Sequence, residues 1–311
     1  MPPIVTLTMN PALDIATETE AIVPAEKLRC GEPRYDPGGG GINVARAVHM
    51  LGGDAMAVFP VGGPSGEMLC HLVANERVPH AAVAVDGITR ESFAVVERQS
   101  GKQYRFLLPG PRIGAHDQAR CLDALGSHLA GAEYLVASGS LPPGCPPDFY
   151  AGIRDLAQRY GARFVLDTSG PALSGAGGSA FLIKASLREL EELSGTEVRT
   201  EGERGKAARA VIERGCAEIL VVSLGAEGAL LATRGEIRRF PVIPVPALSS
   251  VGAGDSMLAG IILSLTRGWT LTEAVRFGMA AGAAALLRPG TELCRREDAD
   301  RLYRAAKTCE I

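Results

Sequence analysis

The sequence predicts an α/β fold built on a mainly parallel sheet, and three observations carry that prediction. Short β-branched runs alternate with longer amphipathic stretches along nearly the whole chain, the pattern of strands joined by helical crossovers. Hydrophobic residues make up 46% and charged residues 22%, a balance that argues against extensive disorder. A length of 311 residues accommodates one large domain or two modest ones. No repeat or low-complexity linker divides the chain, so a single domain over residues 1–311 is expected.

In chain order, strands are predicted at residues 4–8, 55–61, 134–138, 163–167, 181–184 and 219–223, each a short apolar or β-branched run. Amphipathic stretches predict helices at 42–51, 66–74, 116–129, 147–160, 204–214 and 253–266, with a further pair at 271–287 and 297–306. Two segments break the alternation. Residues 16–35 and 91–108 read as extended, hairpin-like pieces of alternating polarity, the second with a turn signal at Gln99-Ser100-Gly101-Lys102. Together they predict a small sheet projecting from the main body as a lid or a dimer surface, or else two surface hairpins.

The formal charge of −3 and pI near 6.0 exclude a globally basic nucleic-acid binder. No apolar run reaches the roughly 18 residues of a membrane span, and the N-terminal residues lack the order of a secretion signal. A soluble cytoplasmic protein is expected, with no nucleic-acid or membrane partner. The seven cysteines (Cys30, Cys70, Cys121, Cys145, Cys216, Cys294, Cys309) form no Cys-x-x-Cys pair and have no histidine at zinc spacing. Reduced thiols are the simplest account.

Chemistry concentrates in two glycine clusters. In Val251-Gly252-Ala253-Gly254-Asp255-Ser256, two glycines open a helix whose exposed amides and positive dipole end suit an anion. The adjoining Asp255 is placed to accept a proton from a hydroxyl while those amides hold phosphoryl charge; helix capping is its equally weighted alternative. In Pro37-Gly38-Gly39-Gly40-Gly41-Ile42-Asn43, four glycines exceed what a turn needs and predict close ligand approach, with Asn43 offered to sugar hydroxyls. A hinge into the helix is the alternative. No Gly-x4-Gly-Lys-Ser/Thr phosphate loop exists. The run Gly175–Ala180 matches a dinucleotide fingerprint only formally, because it precedes a strand rather than a helix. The histidines His49, His71, His80, His116 and His128 make no metal or triad spacing.

These two signatures, residues 38–46 and 251–256, resemble those of the ribokinase-like PfkB family of sugar kinases. The resemblance extends over nearly the whole chain through Thr6-Leu-Thr-Met-Asn-Pro-Ala-Leu-Asp14, Lys27-Leu-Arg29-Cys, Ser138-Gly-Ser-Leu-Pro-Pro-Gly144, Val222-Ser-Leu-Gly225 and Gly290-Thr291. Within the family the chain is most similar to the bacterial 6-phosphofructokinase branch. Gly40 stands where 1-phosphofructokinases and tagatose-6-phosphate kinases commonly carry a lysine.

The resemblance implies a three-layer α/β/α sandwich with a small β lid that pairs into a homodimer. It implies ATP-dependent phosphorylation of a phosphorylated ketohexose, fructose 6-phosphate, at its 1-hydroxyl. Tagatose 6-phosphate, fructose 1-phosphate or a non-catalytic sugar-phosphate sensor are the other readings. Asp255 is implied as general base, and Gly252, Ala253 and Gly254 as the amide hole for the transferring group. Asp14, Gly39, Asn43 and Ser138 are assigned to the sugar. Lys184, Ser223, Gly225 and Gly228 are assigned to the nucleotide, with the Gly290 region closing over the adenine side. A substrate phosphate needs cations, for which Lys27, Arg29, Arg90 and Arg105 are available; Lys27 and Arg29 share one face if their segment is a strand. The family's Mg²⁺ motif, Lys-Pro-Asn-x-x-Glu, here reads Lys184-Ala-Ser186-Leu-Arg-Glu189. Glu189 keeps its spacing and is assigned to hydrated metal. Ser186 in place of asparagine predicts weakened catalysis or altered metal dependence.

Overall fold

The structure is a computed structural model and describes residues 2–308; Cys309 lies outside the described residues. The chain enters the main sheet with β1 (Ile4–Leu7), then leaves it for a small sheet through β2 (Ala12–Thr19) and β3 (Arg34–Gly38). The glycine run carries it into α1 (Gly40–Met50), and β4 (Ala55–Val61), α2 (Gly63–Asn75) and β5 (His80–Ala84) follow. A second excursion makes β6 (Arg90–Glu97) and β7 (Gln103–Leu107). Regular alternation resumes with α3 (Ala115–Leu129), β8 (Tyr134–Ser138), α4 (Phe149–Arg159), β9 (Arg163–Asp167), α5 (Pro171–Gly175), β10 (Ala180–Ser186), α6 (Leu187–Ser194), α7 (Glu201–Glu213) and β11 (Ala217–Ser223). The hairpin β12 (Ala229–Ala232) and β13 (Ile237–Phe240) precedes three helices, α8 (Ala253–Thr266), α9 (Leu271–Leu286) and α10 (Arg296–Thr308).

The main sheet has nine strands in the order β13-β12-β11-β10-β9-β8-β1-β4-β5. Every pair from β11 to β5 is parallel, and only β11–β12 and β12–β13 are antiparallel. The connections explain the difference: short turns join the last three strands, whereas parallel neighbours need a helical crossover. Alternate residues feed two cores. Ile4, Ala57, Val136, Leu182 and Val221 pack with α1, α8 and α9 on one face. Val5, Val58, Leu135, Ile183 and Leu220 pack with α3, α4 and α7 on the other. Helices therefore cover both faces, as the three-layer expectation required.

The strands at 55–61, 134–138 and 163–167 and the helix at 253–266 form where periodicity placed them. Short or edge elements escaped the sequence reading: β5, β12, β13, α5 and α6. These are brief runs whose pairing or packing, rather than their own pattern, makes them regular.

The small sheet has the order β3-β2-β6-β7, with β2–β6 parallel and the outer pairs antiparallel. The hairpin expected at 91–108 is present, its turn closed by Gly101 N–H donating to the Glu97 carbonyl at 2.8 Å. The expectation for 16–35 is corrected. The pairing strand begins at Ala12, and residues 20–33 are irregular apart from one bridge between Thr19 and Cys30. Lys27 and Arg29 thus lie on an exposed loop rather than a strand, so the argument that they share a strand face fails. The lid leaves Tyr35, Phe106, Leu107 and Leu108 exposed on its surface.

Candidate functional site

Parallel strands end together, and their carboxyl ends form the natural ligand crevice of such a sheet. Ser138 closes β8, Asp167 closes β9, Lys184 and Ser186 lie at the end of β10, and Ser223 closes β11. Opposite them stands α8. Gly252 precedes it in the left-handed region (φ 74°), a conformation that costs glycine nothing and a side chain about 1–2 kcal/mol. The first intrahelical bond runs from Ser256 N–H to the Gly252 carbonyl at 2.8 Å. The amides of Ala253, Gly254 and Asp255 therefore precede it and face outward as donors. A Cβ on Gly254 would stand 2.8 Å from Lys184 Nζ, so absence of a side chain there is what lets the ammonium reach the helix terminus.

The N-cap of this helix is Gly252, with no side-chain capping bond, and Asp255 Oδ2 accepts from Asn43 Nδ2 at 2.9 Å. The carboxylate is thus turned toward α1 rather than toward its own helix terminus. Burial raises the Asp255 pKa, opposed by the Asn43 hydrogen bond and the charges of Lys184 and Arg46, with Asp14 adding to the rise. A carboxylate held above its ordinary pKa is a stronger proton acceptor than one in water.

Lys184 Nζ lies 3.2 Å and 3.3 Å from the two oxygens of Asp167. Burial opposes the ammonium, but Asp167, Asp255 and Glu189 outweigh it and hold its pKa above the ordinary value. A fixed cation thus sits beside the outward-facing amides. Asp167 itself is raised, burial and the Asp255 charge exceeding the pull of Lys184.

On the lid side, Asp14 of β2 faces the crevice with Arg90 of β6 and Arg105 of β7. Burial pushes Asp14 up to about 6, against the lowering fields of Arg90, Arg105 and Arg46 and with a small rise from Asp36. The Arg90 Nε and Nη2 donate to the Asn10 carbonyl at 3.2 Å and 3.1 Å, which fixes the guanidinium at the crevice wall. Arg105 is exposed along the same opening.

Two adjoining clefts result. A polar one of about 310 Å³ is lined by Asp14, Gly39, Asn43, Arg90, Arg105, Ser138, Lys184, Glu189, Gly252 and Asp255. A largely apolar one of about 270 Å³ is lined by Ser223, Gly225, Gly228, Ala253 and Gly254, with Val242, Ile243, Met257 and Met279 supplying the apolar wall. Ser250 lines both, so the head of α8 divides a polar chamber from an apolar one. Lys184, assigned to the nucleotide, stands in the polar cleft at the junction.

Three expected residues are elsewhere. Lys27 and Arg29 line neither cleft of this copy. Gly290 does not line the apolar cleft; a Cβ there would meet Arg34 Nη2 at 2.7 Å and Ala16 Cβ at 3.4 Å, against the lid. Its loop is tied to lid strand β3 by Arg34, which donates to the Pro289 carbonyl at 3.2 Å and to Glu292 at 2.9 Å. Asp167, Ser140 and Thr168 line the polar cleft without having been singled out. Asp167 had a legible signal, an acidic residue ending a parallel strand.

A magnesium ion fits this crevice only in a particular way. Among the described residues no three acidic, histidine or cysteine side chains form a cage. Ser186 caps α6 through a reciprocal box, accepting from Glu189 N–H at 3.3 Å while Glu189 Oε2 accepts from Ser186 N–H at 2.6 Å. One Glu189 oxygen is thereby spent on the helix, and the other remains for the cleft. A hard ion that keeps most of its water and takes the rest of its ligands from phosphates suits such a single carboxylate.

The model for the pfkB family of carbohydrate kinases matches residues 7–298. The chain is 52% identical over 311 residues to the ATP-dependent 6-phosphofructokinase isozyme 2 of Mycobacterium tuberculosis, covering 100% of this chain and 92% of that one. It is also similar to Escherichia coli phosphofructokinase-2 in complex with fructose-6-phosphate, with a TM-score of 0.92 and 42% identity over 99% of this chain and 100% of that one. The tetrameric inhibited form of that enzyme matches with a TM-score of 0.93 at 42% identity, over the same shares of the two chains.

Proposed function

The chain belongs to the pfkB family of carbohydrate kinases, and we propose that it transfers the γ-phosphoryl group of ATP to the 1-hydroxyl of fructose 6-phosphate. The observation that carries this reading is the head of α8. A half-buried carboxylate and outward-facing amides stand at the boundary between a cationic polar cleft and an apolar one. The apolar cleft suits a purine, and the polar cleft suits a sugar bearing an anion, with Arg90 and Arg105 as its phosphate partners.

Asp255 takes the proton of the acceptor hydroxyl as that oxygen bonds to the γ-phosphorus. The bond from phosphorus to the bridging oxygen of ATP breaks, and ADP departs. Lys184 and the amides of Ala253 and Gly254 hold the transferring group, while Asp14, Gly39, Asn43 and Ser138 orient the sugar. Most of the acceleration comes from alignment and electrostatic stabilisation, as in phosphoryl transfer generally. Glu189 would hold hydrated Mg²⁺, which when bound would neutralise phosphate charge. ADP release should be measured with fructose 6-phosphate, fructose 1-phosphate, tagatose 6-phosphate and unphosphorylated sugars. Preference for fructose 6-phosphate is expected. Preference for another acceptor refutes the substrate, and binding without ADP production refutes catalysis.

Two copies pair through their lids in this reading. Phe106 and Leu107 are 53% and 61% exposed on neighbouring positions of β7, and an open sheet edge of this kind needs covering. Light scattering that finds a monomer at working concentration refutes the pairing. A cytoplasmic setting is supported by the free thiols of Cys30, Cys70, Cys121, Cys145, Cys216 and Cys294. No described helix is long and apolar enough to cross a membrane.

A further inference from the structure

Arg46, in the second turn of α1, is 2% exposed and spends its donors in three directions. Nε and Nη2 form a fork with Glu76 at 2.7 Å and 2.6 Å. Nη1 donates to the Pro37 carbonyl at 2.8 Å, where the glycine run begins. The same Nη1 donates to Asn43 Oδ1 at 3.2 Å.

That last contact has a consequence at the reaction centre. An asparagine amide has an acceptor end and a donor end that differ little in shape. With Oδ1 facing a cation, Nδ2 is obliged to point the other way, where it donates to Asp255 Oδ2 at 2.9 Å. One oxygen of Asp255 is thus occupied and the other left for a substrate hydroxyl. A salt bridge made only to join α1 to α2 needs the Glu76 fork and nothing more. The additional donor aimed at Asn43, and the hold on the glycine run, are what a purely structural bridge does not call for.

We infer that Arg46 is a positioning residue for the transfer step: acting through Asn43, it sets the orientation of the Asp255 carboxylate and the start of the sugar-binding glycine run, anchored in turn by Glu76. The inference rests on the kinase reading above. Asp255 is faced by Lys184 from β10, Asp167 from β9, Asp14 from β2 and Asn43 and Arg46 from α1. Loss of the Arg46 charge removes one of the few cations that favour its ionised form.

The test compares the wild-type enzyme with Arg46→Lys, Arg46→Met and Glu76→Gln, measuring kcat per folded protein across pH with ATP and fructose 6-phosphate. Unfolding midpoints are recorded alongside. Misplacement of a reacting group by about 1 Å costs on the order of 10²-fold in rate, and Arg46→Met should lose that much with its acid limb moved to higher pH. Arg46→Lys keeps the charge but lacks the fork, so its kcat should fall while its acid limb stays near the wild-type position. Glu76→Gln leaves the arginine in place with a weaker anchor and should show a smaller loss of kcat. If any one variant folds, its profile decides the matter. A kcat and acid limb equal to wild type in a folded Arg46 variant, with only the unfolding midpoint lowered, overturns the positioning role. A wild-type enzyme that releases no ADP instead refutes the kinase reading itself.

Discussion

Replacing Asp14 by asparagine should make the protein more stable at alkaline pH while impairing its grip on the sugar. Burial pushes the Asp14 carboxyl from 3.8 to about 6, with Arg90, Arg105 and Arg46 opposing the rise. A native pKa above the unfolded value means the folded chain holds this proton more tightly. Its contribution is therefore most favourable below 3.8 and is progressively lost as pH rises to about 6. The gap of about two units corresponds to roughly 3 kcal/mol withheld from folding at pH 8. Asp14→Asn never ionises, so it recovers that amount, the attraction of Arg90, Arg105 and Arg46 being already contained in the net shift; a gain of up to about 3 kcal/mol is expected at pH 8. Because only part of the loss has accumulated at pH 5, the advantage over the parent should be larger at pH 8 by about 1 kcal/mol. Urea unfolding followed by the fluorescence of Trp269 is suited to the measurement. It is the one tryptophan of the chain and packs with its ring centroid 5.6 Å from Phe277 and 5.5 Å from Tyr303. An unfolding midpoint no higher than the parent's at pH 8, or an advantage that does not grow with pH, refutes the reasoning. Titration of the variant with fructose 6-phosphate should show weakened binding, the trade of stability for function common at sites.

Other outcomes follow from the same geometry. Asp255→Asn should lower kcat by about 10²–10⁴-fold with KM for both substrates little changed, since it removes a proton acceptor and keeps the shape; steady-state kinetics decide. Gly254→Ala should depress kcat and lower the unfolding midpoint modestly, because the added methyl lies 2.8 Å from Lys184 Nζ and crowds its pairing with Asp167; unfolding and kinetics on the same sample measure both effects. Arg105→Met should raise KM for fructose 6-phosphate by about tenfold or more, a charge-assisted hydrogen bond being worth roughly 1.5–3 kcal/mol. Turnover of an unphosphorylated sugar, where measurable, should not change. Leu107→Asp on the lid should leave the unfolding midpoint nearly unaltered and shift the mass seen by light scattering toward a monomer.

What was legible in the sequence was what depends on neighbours along the chain. Helix α8 and the strands at 55–61 and 134–138 follow from local apolar patterning, and the outward amides of Ala253 and Gly254 follow from glycines at a helix start. Partnerships across the chain were not legible. Nothing near Asp255 announces that Asn43, 212 residues away, occupies one of its oxygens, or that Arg46 decides which way that amide points. Lys184 and Asp167 are closer in sequence, yet they meet only because β9 and β10 lie side by side in parallel. Lys27 and Arg29 show the converse. An alternating face assumes a strand, and a strand exists only where another backbone pairs with it; over residues 21–29 no described backbone does. The amino-acid order thus determined the local conformations and the types of chemistry carried. The tertiary packing alone decided which charges share one crevice, because burial and Coulomb energies depend on distance in space and on access of water rather than on separation along the chain.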